Sequence, residues 1–162
     1  GTESADFLVA DTRAPTIAFL HAKASEKKRL YSATALQEVI SQAQKNLRYA
    51  HPFEDARPPK SDRWHVDPWT APQVSGQVKS RILRGGGTGT EIWDRMREIL
   101  RTPNGRREVW LVLGNILSKS AFEKELRSRS QAPEAVQAVY LLEGFLSAAM
   151  SLGCAVRVFC MP

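Results

Sequence analysis

The sequence predicts a single α/β domain with a mixed central sheet flanked by helices on its faces. Short runs rich in Phe, Leu, Ile and Val, which are typical of strands, alternate with longer segments of helical apolar periodicity. The first two runs are joined by a short turn and predict an antiparallel hairpin, whereas the later runs are joined through helices and predict parallel pairing. The length of 162 residues, with 43% hydrophobic and 25% charged residues, fits one globular domain.

The N-terminal elements are a hairpin and a helix. Residues 6–10 and 16–23 are the two short apolar runs, and the segment between them carries turn-forming residues. Ser32 or Thr34 can cap a helix that continues to about Tyr49. Its apolar residues fall on one helical stripe: Leu36, Val39, Ile40, Ala43 and Leu47.

Residues 50–90 differ from the rest of the chain because prolines and glycines interrupt them without apolar periodicity. We interpret this stretch as an insertion, a functional loop or a partly disordered segment, in which residues 77–83 fit a short strand or a helix. Basic residues are interleaved there with Trp64 and Trp69: Arg57, Lys60, Arg63, Lys79, Arg81 and Arg84. Phosphate contacts and aromatic stacking would suit nucleic acid, and a solvated loop is the alternative.

The C-terminal half continues the alternation of helices and strands. The predicted elements are helix 90–101, strand 108–113, helix 118–129, helix 132–152 and strand 155–160. Pro133 suits the first turn of the long helix, and Gly153 suits its end. Cys154 and Cys160 lack zinc-binding spacing and are expected to be buried, reduced thiols.

Three polar residues on the hairpin suggest a catalytic site. Asp6 opens the first strand, and His21 and Lys23 lie near the end of the second. Because alternate side chains of a strand share a face, His21 and Lys23 point to the same side. A carboxylate and an imidazole can bind a divalent metal ion, and an ammonium group can activate water or stabilise a phosphoryl transition state. The pattern therefore favours metal-assisted hydrolysis, although Asp6 and His21 could also have structural roles.

The helix that follows carries a polar stripe beside its apolar one. Glu38, Gln42 and Lys45 recur at intervals of four and three residues, so they share one face of the helix. Such a stripe is either a solvated surface or the far wall of the site that the hairpin begins.

These residues resemble the PD-(D/E)XK, or restriction-endonuclease-like, nuclease superfamily. In that family an Asp on one strand is followed, after a hairpin turn, by an acidic residue, any residue and a Lys on the next. Asp6 matches the Asp and Lys23 the Lys. Residues 16–23 match the third strand of the family's core, and residues 35–47 match the helix that follows it. The family's usual first helix and strand have no counterpart here, so we expect the chain to be part of a larger polypeptide.

The resemblance implies a restriction-endonuclease-like core and a metal-dependent nuclease that acts on DNA rather than RNA. It implies Mg²⁺ or Mn²⁺ as cofactor, held by Asp6, His21 and Glu38, with Lys23 and Gln42 completing the catalytic set. His21 stands where the family has an acidic residue, and Glu38 is the candidate for a relocated carboxylate. The nucleic-acid-binding residues would be Lys45, Arg57, Lys60, Arg63, Arg81 and Arg84. The net charge of +6 permits a polyanionic partner.

Two other functions remain open at this stage. His21-Ala-Lys23 also begins the HxKxxxxD motif of the phospholipase D-like superfamily, in which the His is a nucleophile, no metal is needed and a homodimer pairs two motifs. Lys28 occupies the position of that motif's Asp. The second alternative is a degenerate nuclease fold that binds nucleic acid or protein. The absence of a long apolar run or a signal peptide predicts a cytoplasmic protein with no membrane partner.

Overall fold

The computed structural model describes residues 4–68 and 80–162. Within them the elements are β1 (Phe7–Asp11), β2 (Thr16–Ala24), α1 (Ala33–Asn46), α2 (Gly89–Arg101), β3 (Arg106–Gly114), α3 (Lys119–Leu126), α4 (Pro133–Ser151) and β4 (Ala155–Phe159). Short 3-10 turns cover Leu47–Ala50 and Ser61–Arg63. Trp69, Lys79 and the first part of the segment 77–83 lie outside the described residues.

The predicted order of strands and helices is confirmed, with differences at the ends of elements. The first α-helix begins at Ala33, with Ser32 rather than Thr34 as its N-cap, and it ends at Asn46, where a 3-10 turn continues to Ala50. The helix expected to reach residue 129 ends at Leu126, where Ser128 closes a turn by donating to the carbonyl of Ser130 at 3.0 Å. Residues 80–83 form neither strand nor helix.

The four strands form one mixed sheet in the order β1-β2-β3-β4. β1 pairs antiparallel with β2, while β2 with β3 and β3 with β4 pair in parallel. The predicted α/β class and mixed sheet are therefore confirmed. Both helical connections step across the sheet in the same direction, and right-handed crossovers then place their helices on the same side.

The helices consequently pack on one face of the sheet, whereas the sequence suggested helices on both faces. Ile17 and Phe19 of β2 and Leu111 of β3 are almost fully buried on the covered face. The opposite face, which we call the open face, is formed by Phe7, Val9, Leu20, Trp110, Val112 and Phe159. Phe7 is 53% exposed and Phe159 is 46% exposed, because no helix of the described residues covers them.

The hydrophobic core lies between the covered face and helices α1, α2 and α4. Trp93 of α2 and Phe145 of α4 are each 1% exposed, and Tyr49 meets Trp93 edge-on at 6.0 Å. Cys154 is buried in this core, Cys160 is partly buried, and both are free thiols. None of the helices within residues 4–68 and 80–162 has the length and apolar character needed to cross a membrane.

A buried carboxylate lies at the base of the open face. Glu108 of β3 is 3% exposed and accepts hydrogen bonds from Trp110 Nε1 at 2.7 Å and from Arg157 Nε at 2.8 Å. Arg106 Nη2 donates to the same carboxylate at 3.0 Å. The Arg157 contact is the main reason that the pKa of Glu108 lies below its usual value, because it stabilises the charged form.

Two glycines provide a test of how closely α2 is packed. A Cβ added at Gly89 would lie 1.7 Å from the carbonyl oxygen of Ser61, whereas one at Gly144 of α4 would meet nothing within 4 Å. Gly89→Ala is expected to lower the free energy of unfolding by about 2 kcal/mol or more through overpacking. Gly144→Ala is expected to raise it by about 0.5–1 kcal/mol, because alanine is the better helix former.

Urea unfolding of the two glycine variants would measure both changes under the same conditions. Gly144→Ala serves as the matched control, because it makes the same chemical change in a helix. Changes of the same sign and size in the two variants would contradict the close approach of α2 to the 3-10 turn at Ser61.

Candidate functional site

Asp6 lies beside the end of β2, just before β1 begins. Its main-chain N–H donates to the carbonyl of Leu20 at 2.9 Å. Its carboxylate oxygen Oδ2 accepts from the N–H of Ala22 at 2.7 Å, so the side chain continues the strand pairing beyond the end of β1. Asp6 itself is exposed, which leaves the carboxylate accessible from solvent. The structure thus gives Asp6 a structural contact and an accessible charge at the same place.

His21 is buried beside Asp6 on the covered face of the sheet. It is 1% exposed, and its Nδ1 has no hydrogen-bond partner within the described residues. Burial lowers the pKa of His21 from 6.5 to about 4, although the negative charge of Asp6 opposes this shift. The imidazole is therefore neutral at pH 7 and retains a lone pair that can bind a metal ion or accept a proton.

Lys23 and Glu38 meet at the end of β2. Lys23 Nζ lies 2.6 Å from Glu38 Oε2, and both side chains are partly exposed. The contact joins Glu38 of the polar stripe of α1 to Lys23 of the hairpin. Gln42 lies one helical turn beyond Glu38 and is partly buried, and Lys45 lies further along α1 and is exposed.

The side chains at this site are of the chemical types that bind a divalent cation. Asp6 and Glu38 offer carboxylates and His21 a neutral imidazole, a combination that suits Mn²⁺ better than Mg²⁺. The buried Nδ1 of His21 without a protein partner is the observation that favours a ligand here. Across residues 4–68 and 80–162, however, no three His, Cys, Asp or Glu side chains already stand together in metal-binding positions. Glu38 is instead paired with Lys23.

The basic residues predicted to bind nucleic acid differ in whether they form an ion pair with an acidic neighbour. Arg57 pairs with Asp94 at 2.8 Å, and Arg63 pairs with Asp67 at 2.7 Å. These two guanidinium groups are therefore partly neutralised by their neighbours. The other members of the set are exposed: Lys45, Lys60, Arg81 and Arg84.

Trp64 packs against the core. Its ring meets Trp93 edge-on at 6.3 Å, so the side chain is part of the support for α2. Because this ring is used in packing, the structure does not favour the expected stacking of Trp64 on bases.

The sequence reasoning missed a basic segment next to the predicted site. Lys27, Lys28 and Arg29 follow Lys23 directly in the chain, and all three are exposed. The available signal was this run of charges at the carboxyl end of a strand, where ligands bind in many α/β sheets. The run carries no local sign of its pairing with the segment after β3, because that pairing depends on tertiary structure.

The low pKa of His21 predicts how stability depends on pH. The folded state binds fewer protons than the unfolded state between the folded pKa of about 4 and the unfolded pKa of 6.5. The stability that the neutral form of His21 contributes is therefore fully present above pH 6.5 and is lost as the pH falls towards 4. We expect this histidine to account for a loss of about 3 kcal/mol in the free energy of unfolding over that range.

Urea unfolding at several pH values, compared with His21→Gln, would isolate this contribution. The variant is expected to be less stable than the wild type at pH 7 and to lose less on acidification. Equal slopes for the two proteins between pH 6.5 and 4 would contradict the burial of a neutral imidazole.

Comparison of the chain with protein-family models, with curated protein sequences and with solved structures gives no match. The resemblance to the PD-(D/E)XK superfamily therefore rests on Asp6, Lys23 and the helix that follows them, together with the order of the elements.

Proposed function

We propose that this domain is a metal-dependent nuclease with a restriction-endonuclease-like core that hydrolyses phosphodiester bonds of DNA. The observation that carries the proposal is the meeting of Lys23 with Glu38 at 2.6 Å, beside an exposed Asp6 and a buried neutral His21. Asp6, His21 and Lys23 lie around the end of β2, and α1 brings Glu38 to Lys23. We further propose that the domain acts in the cytoplasm as part of a larger defence or repair protein.

Each of these side chains has a role that its surroundings support. Asp6 and Glu38, with His21, would hold Mg²⁺ or Mn²⁺, which would supply positive charge to the phosphate and lower the pKa of attacking water. The ammonium group of Lys23 has three N–H donors and its side chain is 42% exposed, so it could donate to a phosphate oxygen while it remains paired with Glu38. Gln42 is placed to hydrogen-bond water or phosphate from the same helix face as Glu38.

The environment of His21 favours this mechanism over the phosphohistidine alternative. A nucleophilic imidazole must approach the phosphorus atom of the substrate directly, but His21 is 1% exposed. A buried neutral imidazole is better suited to orienting groups or binding an ion than to forming a covalent intermediate.

The test is a cleavage assay on plasmid and single-stranded DNA in Mn²⁺, with and without EDTA. Asp6→Asn removes the charge but keeps an oxygen that can accept from the Ala22 N–H. Asp11→Asn makes the same change at the other end of β1, where Asp11 accepts from the N–H of Arg13 at 2.8 Å. We expect EDTA to abolish cleavage, and Asp6→Asn to lower it about 100-fold while Asp11→Asn leaves it unchanged.

Each of the other outcomes would overturn the proposal in a specific direction. Cleavage that survives EDTA would point to the phosphohistidine mechanism, and a dimer would then be expected. DNA binding without cleavage in either metal would identify the domain as a binding module. Equal losses in the two Asp variants would assign the effect to folding or net charge.

A further inference from the structure

A second cationic surface is built at the carboxyl ends of β2 and β3. The segment after β2 and the segment after β3 are joined by main-chain hydrogen bonds: Ser25 N–H to Gly114 at 3.0 Å, Arg29 N–H to Asn115 at 2.8 Å and Ser118 N–H to Leu30 at 2.7 Å. The side-chain amide of Asn115 also donates to the carbonyl of Ser25 at 3.1 Å. These contacts fix the position of the charged residues that the two segments carry.

We name this surface the basic rim and define it by Lys27, Lys28, Arg29 and Lys119. All four side chains are exposed, and within the described part of the chain none forms an ion pair. Lys119 belongs to the rim because it follows Ser118, whose N–H is bonded to Leu30. Glu26 is the one acidic residue within residues 25–30, so the surface keeps a net positive charge.

The rim differs in this respect from Arg57 and Arg63 of the segment 57–84, whereas Lys60, Arg81 and Arg84 of that segment are also exposed. Arg57 and Arg63 are held by Asp94 and Asp67, so a phosphate would have to displace a carboxylate to reach them. The rim cations can exchange only water and counterions for phosphate, which is the favourable case for binding a polyanion. The rim therefore presents cations without ion-pair partners on a main chain that hydrogen bonds hold in place.

The rim also lies next to the candidate site. Lys23 is the second-last residue of β2, and the rim segment begins immediately after that strand. Lys23 pairs in register with Leu113, one residue before the end of β3. A nucleic-acid strand lying across the ends of β2 and β3 would therefore contact the rim and approach Lys23 together.

We propose that the basic rim binds the sugar-phosphate backbone of nucleic acid and directs the strand to Lys23. The proposal rests on the proposed function for its substrate class, and it adds which surface recognises that substrate. The contacts are to phosphates, so binding is expected to be independent of sequence and sensitive to salt.

The test measures binding of fluorescently labelled DNA by anisotropy in EDTA, which prevents metal-dependent cleavage. The rim variant is Lys27→Gln, Lys28→Gln and Arg29→Gln together. The matched control is Arg13→Gln, Lys124→Gln and Arg129→Gln, which removes the same charge from exposed residues outside both the rim and the predicted nucleic-acid-binding set. Single- and double-stranded oligonucleotides form separate arms and identify which form the rim prefers.

We expect the rim variant to weaken binding about 10-fold or more near 100 mM salt, and the control variant less than about 3-fold. The slope of log affinity against log salt should fall by about 2 to 3 in the rim variant, since about one counterion is released for each phosphate contact. Far-ultraviolet circular dichroism would check that both variants are folded. Equal or larger weakening in the control variant, or no binding by the wild type, would overturn the proposal.

The assay separates this proposal from the nuclease proposal. Binding through the rim without cleavage in Mn²⁺ would support the rim proposal and contradict the nuclease proposal. Cleavage by the wild type, with binding and cleavage unchanged in the rim variant, would support the nuclease proposal and contradict the rim proposal.

Discussion

Substitution of Lys23 by alanine is expected to lower the rate of DNA cleavage by about 10³-fold. The ammonium group lies at the end of β2 next to Glu38, and in the proposed mechanism it faces the negative charge that develops on the phosphate during hydrolysis. A positioned donor at such a place contributes about 10²- to 10³-fold to the rate, because its interaction strengthens in the transition state. Single-turnover cleavage in Mn²⁺ would measure the effect without interference from product release.

Lys124→Ala is the matched control for Lys23→Ala, because Lys124 is exposed on α3 and belongs neither to the site nor to the rim. The affinity for DNA in EDTA should change little in Lys23→Ala, so the loss should appear in the rate rather than in binding. Glu38→Gln removes both the partner of Lys23 and a proposed metal ligand, and we expect it to lower cleavage about 100-fold, as Asp6→Asn does. Retention of more than a tenth of the activity in Lys23→Ala would remove this residue from the catalytic set.

Substitution of Glu108 by alanine is expected to lower the free energy of unfolding by about 2 kcal/mol. The carboxylate is 3% exposed and joins Arg106, Trp110 and Arg157 on the open face. Its removal leaves the indole N–H of Trp110 without its acceptor, whereas Arg106 and Arg157 are 65% and 48% exposed and become hydrated. Hydrogen bonds to a charged group contribute about 1.5–3 kcal/mol. Urea unfolding at pH 7 would measure the loss.

Glu143→Ala is the control for Glu108→Ala, because Glu143 is exposed on α4 and should change stability little. The pH dependence supplies a second check. The pKa of Glu108 is lower in the folded state, so its contribution is present above its ordinary value of 4.5 and is lost as the pH falls below it. The alanine variant should therefore lose less stability on acidification, and a loss below about 1 kcal/mol at pH 7 would contradict the network.

The sequence predicted local elements well because their signals are local. The apolar stripe of α1, its cap at Ser32 and the turn between β1 and β2 each depend on residues close together in the chain. The mixed sheet followed from the hairpin and the helical connections. The single-sided packing did not, because it depends on the order in which the parallel strands are placed across the sheet.

Fewer contacts of the candidate site than elements of the fold could be predicted from the sequence. The shared face of His21 and Lys23 followed from strand alternation, and the contact of Lys23 with Glu38 agrees with the predicted polar stripe. Other contacts join residues far apart in the chain, such as Arg57 with Asp94, and no local pattern indicates them. The joining of the rim segment to the residues after β3 belongs to this second class.

The open face of the sheet has a consequence for the response of the protein to temperature. Phe7, Val9 and Phe159 are already in contact with water in the folded state of this chain, so unfolding hydrates less new apolar surface there. The heat capacity of unfolding depends mainly on that newly hydrated surface. It should fall below the value of about 2 kcal/mol/K that 162 residues would ordinarily give. The stability curve of this chain should accordingly be broad and shallow, with stability changing slowly on both cooling and warming.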